Sequence, residues 1–309
     1  MADPPTLVAT LIANPRVPSI SAEAIRAASS ACGGGAPARI LSDGVAAEFD
    51  IDGEAADVAA ALRDALAGRP IDVVVQPAEG RRKRLLLADM DSTMIEQECI
   101  DELADFVGLK AQVSEITERA MQGEIAFEPA LRDRVALLRG LSVGIVDRII
   151  AERITPMPGG DVLVATMRAN GAYAGLVSGG FTLFTGPIGA ALGFDEDRAN
   201  RLLVEDGALT GAVAEPILGR EAKLATLLEL RTRLGLRPGE TLAVGDGAND
   251  LAMLGKAGLG VAYRAKPAVA AAAHARIEHG DLTALLYLQG YAASEFAAPA
   301  RRGWPPGAT

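Results

Sequence analysis

Continuous apolar runs, each ending on a small or polar residue, recur along the later part of the chain: LLLAD at 85–89, AYAGLVS at 172–178, TLAVGD at 241–246 and LGVAY at 259–263. A run without polar alternation is buried on both faces, the condition of a strand inside a parallel sheet. Helical spacing intervenes. In GREAKLATLLELRTRLG, 219–235, Leu224, Leu227, Leu228 and Leu234 are expected on one face. RLLVEDGALTGAV, 201–213, reads as a hairpin turning at Asp206-Gly207. Between the first two runs lie about seventy residues of mostly helical pattern, too many for a simple crossover. Residues 96 to about 155 are therefore expected to form an inserted helical cap.

The first eighty residues follow another rhythm. TLVATLIA (6–13) predicts a strand, SAEAIRAASSA from Ser21 a helix, and ARILSDGVAAEFDI two short strands about Ser42-Asp43-Gly44. EAADVAAALRDALAG predicts a second helix with Val58, Leu62 and Leu66 on one stripe and Gly68 near its end, and IDVVVQP a closing strand. The order βαββαβ suits helices packed on an antiparallel sheet, a ferredoxin-like α+β unit. AEGRRKR, 78–84, is a polar, basic linker. The expected fold is thus an α/β, Rossmann-like parallel sheet core (81–292) with a helical cap, preceded by a small α+β domain (1–80). Residues 293–309 are expected to be a disordered tail whose Trp304 marks nothing.

Composition narrows the function. Half of the 309 residues are hydrophobic and 23% are charged, so a sizeable core is affordable. A formal net charge of -10 argues against a nucleic-acid partner, yet leaves a small anionic substrate open, because a local pocket can oppose the global charge. No apolar run approaches membrane length, and MADPPTLVATLIANPRVPS has no basic region ahead of its apolar stretch. A cytoplasmic protein without a membrane partner is expected. Cys32 and Cys99 form no CxxC and allow one disulfide at most, and with histidine limited to His274 and His279 a His/Cys zinc site is disfavoured.

Open parallel sheets bind ligands beyond the carboxyl ends of their strands. Asp89 and Asp91 sit at one such end, Ser178 of SGG at a second, and Asp246, Asn249 and Asp250 of GDGAND at a third. Carboxylates gathered in one crevice repel one another unless a cation binds, and an all-oxygen donor set points to Mg²⁺. An EF-hand loop starting at Asp89 would need glycine and glutamate where Met94 and Ile100 stand. There is no Walker A sequence, and GLG at 258–260 is too short for a dinucleotide fingerprint.

DMDST, SGG, the lone Lys223 and GDGANDLAM are similar, in this order and at element ends, to the four motifs of the haloacid-dehalogenase-type phosphatases, over residues 85 to about 290. MDSTMIEQECIDELA, GEIAFEPALRDRVALLRGL and SGGF resemble in particular the branch acting on phosphoserine. The resemblance implies Mg²⁺-dependent hydrolysis of O-phospho-L-serine through an aspartyl-phosphate, the last step of serine biosynthesis. It implies Asp89 as nucleophile and Asp91 as acid, then base. Mg²⁺ would be held by the Asp89 and Asp246 side chains and the Asp91 main-chain carbonyl. Ser178, the Gly179 amide and Lys223 would hold the phosphoryl oxygens, with Asn249 and Asp250 shaping the surroundings. Glu98 would meet the substrate ammonium, Arg134 its carboxylate, and Phe127 would form an apolar wall. From spacing alone these last three read as solvated helix charges and cap core, and Arg132 competes for the carboxylate. Thr93 and Met94 read as turn and packing residues.

A phosphotransferase using phosphoserine as donor is an alternative within the same class. An amino-acid-responsive binding protein on an inactive phosphatase fold is another, against which the intact Asp89, Asp91, Lys223 and Asp246 argue. The N-terminal unit resembles an ACT-like domain in its element order. That implies either an amino-acid effector site or a packing or homodimer surface without a ligand.

Overall fold

The computed structural model describes residues 6–34, 37–51, 53–121, 124–299 and 304. The chain opens with β1 (Leu7–Ala13), α1 (Ala22–Ala31), β2 (Arg39–Ser42), β3 (Ala46–Ile51), α2 (Ala55–Ala65) and β4 (Ile71–Pro77). These strands form an antiparallel sheet in the order β2-β3-β1-β4, the ferredoxin-like arrangement expected from βαββαβ. Ser21 starts α1 by accepting the Ala24 N–H on its hydroxyl oxygen at 3.2 Å. Every residue of β1 is buried. Its Leu7, Ala9 and Leu11 pack with Ala24, Ala28, Leu62 and Leu66 of the helical layer, while Ile12, with Val74 of β4, joins the main core.

That second face explains how the two sheets are joined. Asp72 accepts the N–H groups of Glu278 (2.9 Å), His279 (3.1 Å) and Gly280 (2.8 Å). Gln76 donates to the Leu288 carbonyl at 2.8 Å. The basic stretch 78–84 is docked as well: Arg81 meets Glu48 at 2.8 Å, and the Lys83 N–H meets Gln289 Oε1 at 3.0 Å.

The remainder is an α/β unit. β5 (Leu85–Ala88) leads into α3 (Cys99–Phe106), α4 (Lys110–Met121), α5 (Phe127–Ala136) and α6 (Ile145–Arg153), followed by α7 (Gly160–Ala169), β6 (Tyr173–Phe181) and α8 (Thr182–Leu192). Next come β7 (Glu196–Asn200), β8 (Leu202–Glu205), β9 (Ala208–Val213), α9 (Arg220–Arg233) and β10 (Thr241–Gly245). The unit ends with α10 (Leu251–Lys256), β11 (Leu259–Tyr263), α11 (Pro267–Ala272), β12 (Ala275–Ile277) and α12 (Ala284–Leu288). Six strands pair in parallel in the order β12-β11-β10-β5-β6-β7. The central strands are the continuous apolar runs: Leu85, Leu86 and Leu87 have no exposed surface, each worth roughly 1.5–3 kcal/mol on burial. The edge strands β7 and β12 were not foreseen, because a half-covered edge has no need of an apolar run, and EDRAN shows none.

In α9 the buried stripe is Lys223, Thr226, Leu227 and Leu230. The expected leucine face is rotated, and Leu228 is exposed. The helix turns toward the sheet the face that delivers a lysine.

The helices α3–α6 form a cap joined to the sheet by two adjacent crossings. Ile95 bridges Pro156, the Glu96 N–H donates to the Thr155 carbonyl at 2.9 Å, and the Met157 N–H donates to the Met94 carbonyl at 2.9 Å. The β8–β9 hairpin turns at Asp206 and Gly207, with φ of 47° and 75°, as a turn twisted to match its strands requires. It pairs with the loop after α5 through Gly140 N–H to Leu209 O at 2.7 Å and Leu209 N–H to Leu141 O at 2.8 Å.

Of the segment from 293, expected to be disordered, Ala293–Glu295 form a 3₁₀ turn. Phe296 lies 5.2 Å from the Tyr287 ring, and Trp304 packs on the main core. Residues 300–303 and 305–309 lie outside the described residues. Cys32 and Cys99 are free thiols. Among the described residues no helix is long and apolar enough to cross a membrane.

Candidate active site

Adjacent strands β10, β5 and β6 end side by side, and their carboxyl ends carry the chemistry. Asp89 leaves β5 with its N–H on the Val244 carbonyl at 3.0 Å, and it is 5% exposed. Lys223 Nζ reaches Asp89 Oδ2 at 2.6 Å and Asp250 Oδ1 at 2.7 Å, and it is buried to 2% exposure. Asp250 also accepts the Gly247 N–H at 3.0 Å. Gly245 is required here, because a β-carbon would collide with the Asp250 carboxylate.

The carboxylates of Asp89, Asp246 and Asp250 offer oxygens within 4.8 Å of one another. Burial, and then the neighbouring Asp250, push the Asp89 carboxyl well above the usual carboxylate range. Asp246 is raised for the same reasons. Burial opposes a charge on Lys223, but Asp89 and Asp250 more than offset it and hold the ammonium above its ordinary value. One ammonium cannot neutralise this many carboxylates, so the cluster takes up a proton or a cation. An all-oxygen set without histidine or cysteine fits a hard divalent cation.

Asp91 stands beside this cluster, not within it. Its Oδ1 accepts the Cys99 N–H at 2.9 Å and its Oδ2 the Ser178 hydroxyl at 3.1 Å. Burial raises its carboxyl, and these donors draw it back. The Gly180 N–H donates to Ser178 Oγ at 2.8 Å. A β-carbon at Gly180 would sit 2.9 Å from Asp91 Oδ2, so this second glycine of SGG lets the strand end approach the carboxylate.

Glu98 precedes α3 and accepts the Ser92 hydroxyl at 2.7 Å. Solvent reaches it along one side, but the protein crowding the rest, and then the charge of Asp91, raise its carboxyl to about 7. Arg134 is held by the Ala130 carbonyl at 3.2 Å and the Thr117 hydroxyl at 3.3 Å, near enough for Asp101 and Glu98 to act on its charge. Phe127 is 41% exposed, and its ring lies over Gly179 and Gly219, where added β-carbons would be 3.7 and 3.4 Å from it. Asn249 sits over Gly247 in the turn after β10. Arg132 pairs with Glu215 and Glu128 instead.

Two contacts escape sequence reasoning. Thr93, read as a turn residue, donates its hydroxyl to Asp246 Oδ1 at 3.2 Å. Asn200, 1% exposed, donates to the carbonyls of Gly179 (2.9 Å) and Leu218 (3.1 Å) and accepts the Leu218 N–H at 2.7 Å. Its register with Phe181 follows an irregularity in the β6–β7 ladder, so its amide takes the place of missing ladder bonds. A lone asparagine in EDRAN carries no signal of this.

The family model of haloacid dehalogenase-like hydrolases matches residues 86–255. The chain belongs to that family. A phosphoserine phosphatase of Polaromonas sp. is 47% identical over 210 residues, 66% of this chain and 89% of that protein. One from Streptomyces coelicolor is 42% identical over 257 residues, 82% of this chain, which spans 62% of that relative's length. The structure of a probable phosphoserine phosphatase from Vibrio cholerae superposes with a TM-score of 0.76 at 30% identity, covering 94% of this chain and 88% of that one. Within the family, these similar proteins are phosphoserine phosphatases or, for the Vibrio cholerae structure, a probable one.

Proposed function

We propose that the protein hydrolyses O-phospho-L-serine to L-serine and phosphate with Mg²⁺, as the closing step of serine biosynthesis, through an aspartyl-phosphate on Asp89. The observation that carries this reading is the buried Lys223 bridging Asp89 and Asp250 beside an acid set apart from them, beneath a cap that presents one anion and one guanidinium. Residues 81–292 are the catalytic domain in this reading and 1–80 an ACT-like unit.

In the first half, an Asp89 oxygen attacks phosphorus and the bond from phosphorus to the serine oxygen breaks. Asp91 gives its proton to the departing oxygen. In the second half, Asp91 takes a proton from water, the water oxygen attacks phosphorus, and Asp89 is released with inorganic phosphate. Lys223, the Ser178 hydroxyl and the Gly179 N–H hold the phosphoryl oxygens. The Asp89 and Asp246 side chains and the Asp91 main-chain carbonyl would hold Mg²⁺, which when bound screens the carboxylate nucleophile from the dianionic phosphate. Glu98 faces the ammonium of the substrate and Arg134 its carboxylate, the complement a zwitterion needs. Phe127 walls the pocket mouth.

Incubation of the purified protein with Mg²⁺ and phosphoserine is expected to yield serine and phosphate in equal amounts. Turnover of another phosphate ester without serine release would overturn the substrate reading.

A further inference from the structure

The loop from Asp91 to Cys99 closes on itself. Ser92 adopts a left-handed φ of 54°, its N–H donates to the Gln97 carbonyl at 3.2 Å, and its hydroxyl donates to Glu98 at 2.7 Å. At the far end Cys99, 1% exposed and the first residue of α3, gives its main-chain N–H to Asp91 Oδ1 at 2.9 Å. The N-cap residue Glu98 makes no side-chain bond to the helix. One of the unsatisfied N–H groups of the first turn is therefore met by a carboxylate eight positions back.

We propose that Cys99, through its main-chain N–H, is a positioning residue that sets Asp91 for proton transfer and ties it to the cap. This rests on the reading of Asp91 as acid and base. Asp91 is pinned at one oxygen by the sheet, through Ser178, and at the other by the cap, through Cys99. The plane of the carboxylate is set only while α3 is seated. Because Glu98 adjoins the same turn, the residue that meets the ammonium and the residue that moves the proton are carried by one closed loop. Seating the cap on the right substrate orients the acid.

The N–H can be deleted by proline, which also takes away the thiol that bonds Asp91, so the thiol needs a control of its own. Proline is accepted at the first helical position, where its ring suits the helix. The Glu98 backbone, φ -98° and ψ 112°, is what a residue before proline adopts. Cys99→Pro removes both donors, and Cys99→Ala keeps the N–H while removing the thiol.

Both variants are to be measured with Mg²⁺ on phosphoserine and on p-nitrophenyl phosphate, whose leaving group departs without a proton. Cys99→Pro is expected to lower kcat on phosphoserine by about tenfold or more with KM changed by less than about twofold. Its first turnover of p-nitrophenyl phosphate, seen as a burst, is expected at the wild-type rate, with later turnovers slowed because water attack still needs Asp91 as base. Cys99→Ala should match wild type throughout, and a loss equal to that of Cys99→Pro overturns the role of the N–H. An unchanged kcat in Cys99→Pro, or an equal loss in the burst phase, overturns the proposal.

If wild type leaves phosphoserine untouched, the substrate reading fails alone. The slowed phase after the burst then decides the proposal, and an unslowed phase overturns it. Should Cys99→Pro not fold, amide exchange in Asp91→Ala takes its place. The Cys99 N–H should exchange about tenfold faster or more than in wild type, and unchanged protection there overturns the proposal.

Discussion

Lys223 is held at 2% exposure between Asp89 and Asp250, and a buried ammonium is tolerable only when it is paired. The neighbouring carboxylates outnumber it and, with burial, favour the protonated form of Asp89, so the proposed attack on phosphorus needs a cation in the cluster to hold Asp89 ionised. Asp89→Asn should reduce phosphoserine turnover by about a thousandfold or more, checked by phosphate release, because the amide is a poor nucleophile. Glu98 offers a pH test. Its carboxyl is raised from 4.5 to about 7 in the folded, metal-free protein. Below 4.5 it is protonated whether the chain is folded or not, so its contribution to stability falls as pH rises from there to about 7. Glu98→Gln should therefore melt above wild type at about pH 8 and level with it at about pH 4. In the proposed reaction the substrate ammonium needs the ionised form, so KM for phosphoserine should rise as pH drops below about 7, and this slope should vanish in Glu98→Gln.

At the scale of elements, α5 carries Arg134 and Phe127 toward the sheet while its Arg132 pairs with Glu215 near the base of the hairpin. Arg134 is half-buried, so a carboxylate bonded to it is shielded from water. Arg134→Ala should cost about 1–3 kcal/mol of discrimination between phosphoserine and phosphoethanolamine, read from relative kcat/KM. The hairpin holds the cap from the other side. Gly211 has φ +76°, and a β-carbon there would lie 2.9 Å from Arg139 Cβ and 3.2 Å from the Ala136 carbonyl. Gly211→Ala should destabilise the protein by about 1–3 kcal/mol, measured by the denaturant midpoint. An unchanged midpoint would show that hairpin and cap are not packed as tightly as the contact implies.

Across the whole molecule, parallel alignment of β10, β5 and β6 delivers residues from three distant stretches to one place, and the carboxylates so gathered make folding depend on what neutralises them. Mg²⁺ at about a hundred times its dissociation constant should stabilise the fold by about 2.7 kcal/mol, with Asp246→Asn abolishing the shift. Thermal melting with and without chelator reads this independently of activity. The N-terminal sheet belongs to the same structure, since Asp72 caps three successive N–H groups of the segment after β12. That segment continues to Leu282, whose N–H donates to the Pro158 carbonyl at 3.0 Å, close behind the cap crossing.

Periodicity determined the central strands, the helical insertion and the Asp206-Gly207 turn, because burial on both faces and positive φ each leave a mark on composition. Motif order likewise singled out Asp89, Asp91, Ser178, Lys223 and Asp246. What local pattern could not hold was decided by packing. The edge strands β7 and β12 exist because a neighbour offers a ladder. The buried face of α9 was set by what Lys223 meets, and leucine count misled it by one step around the helix. Thr93 and Asn200 entered the site because a strand irregularity and a neighbouring carboxylate left bonds to be made. Asp91 was legible as a site residue from the DMDST motif, but its separation from the carboxylate cluster was not. Only the fold brings Ser178 and the start of α3 to its two oxygens, and a hydrogen bond made across a loop or between strands leaves no trace in the periodicity of either partner.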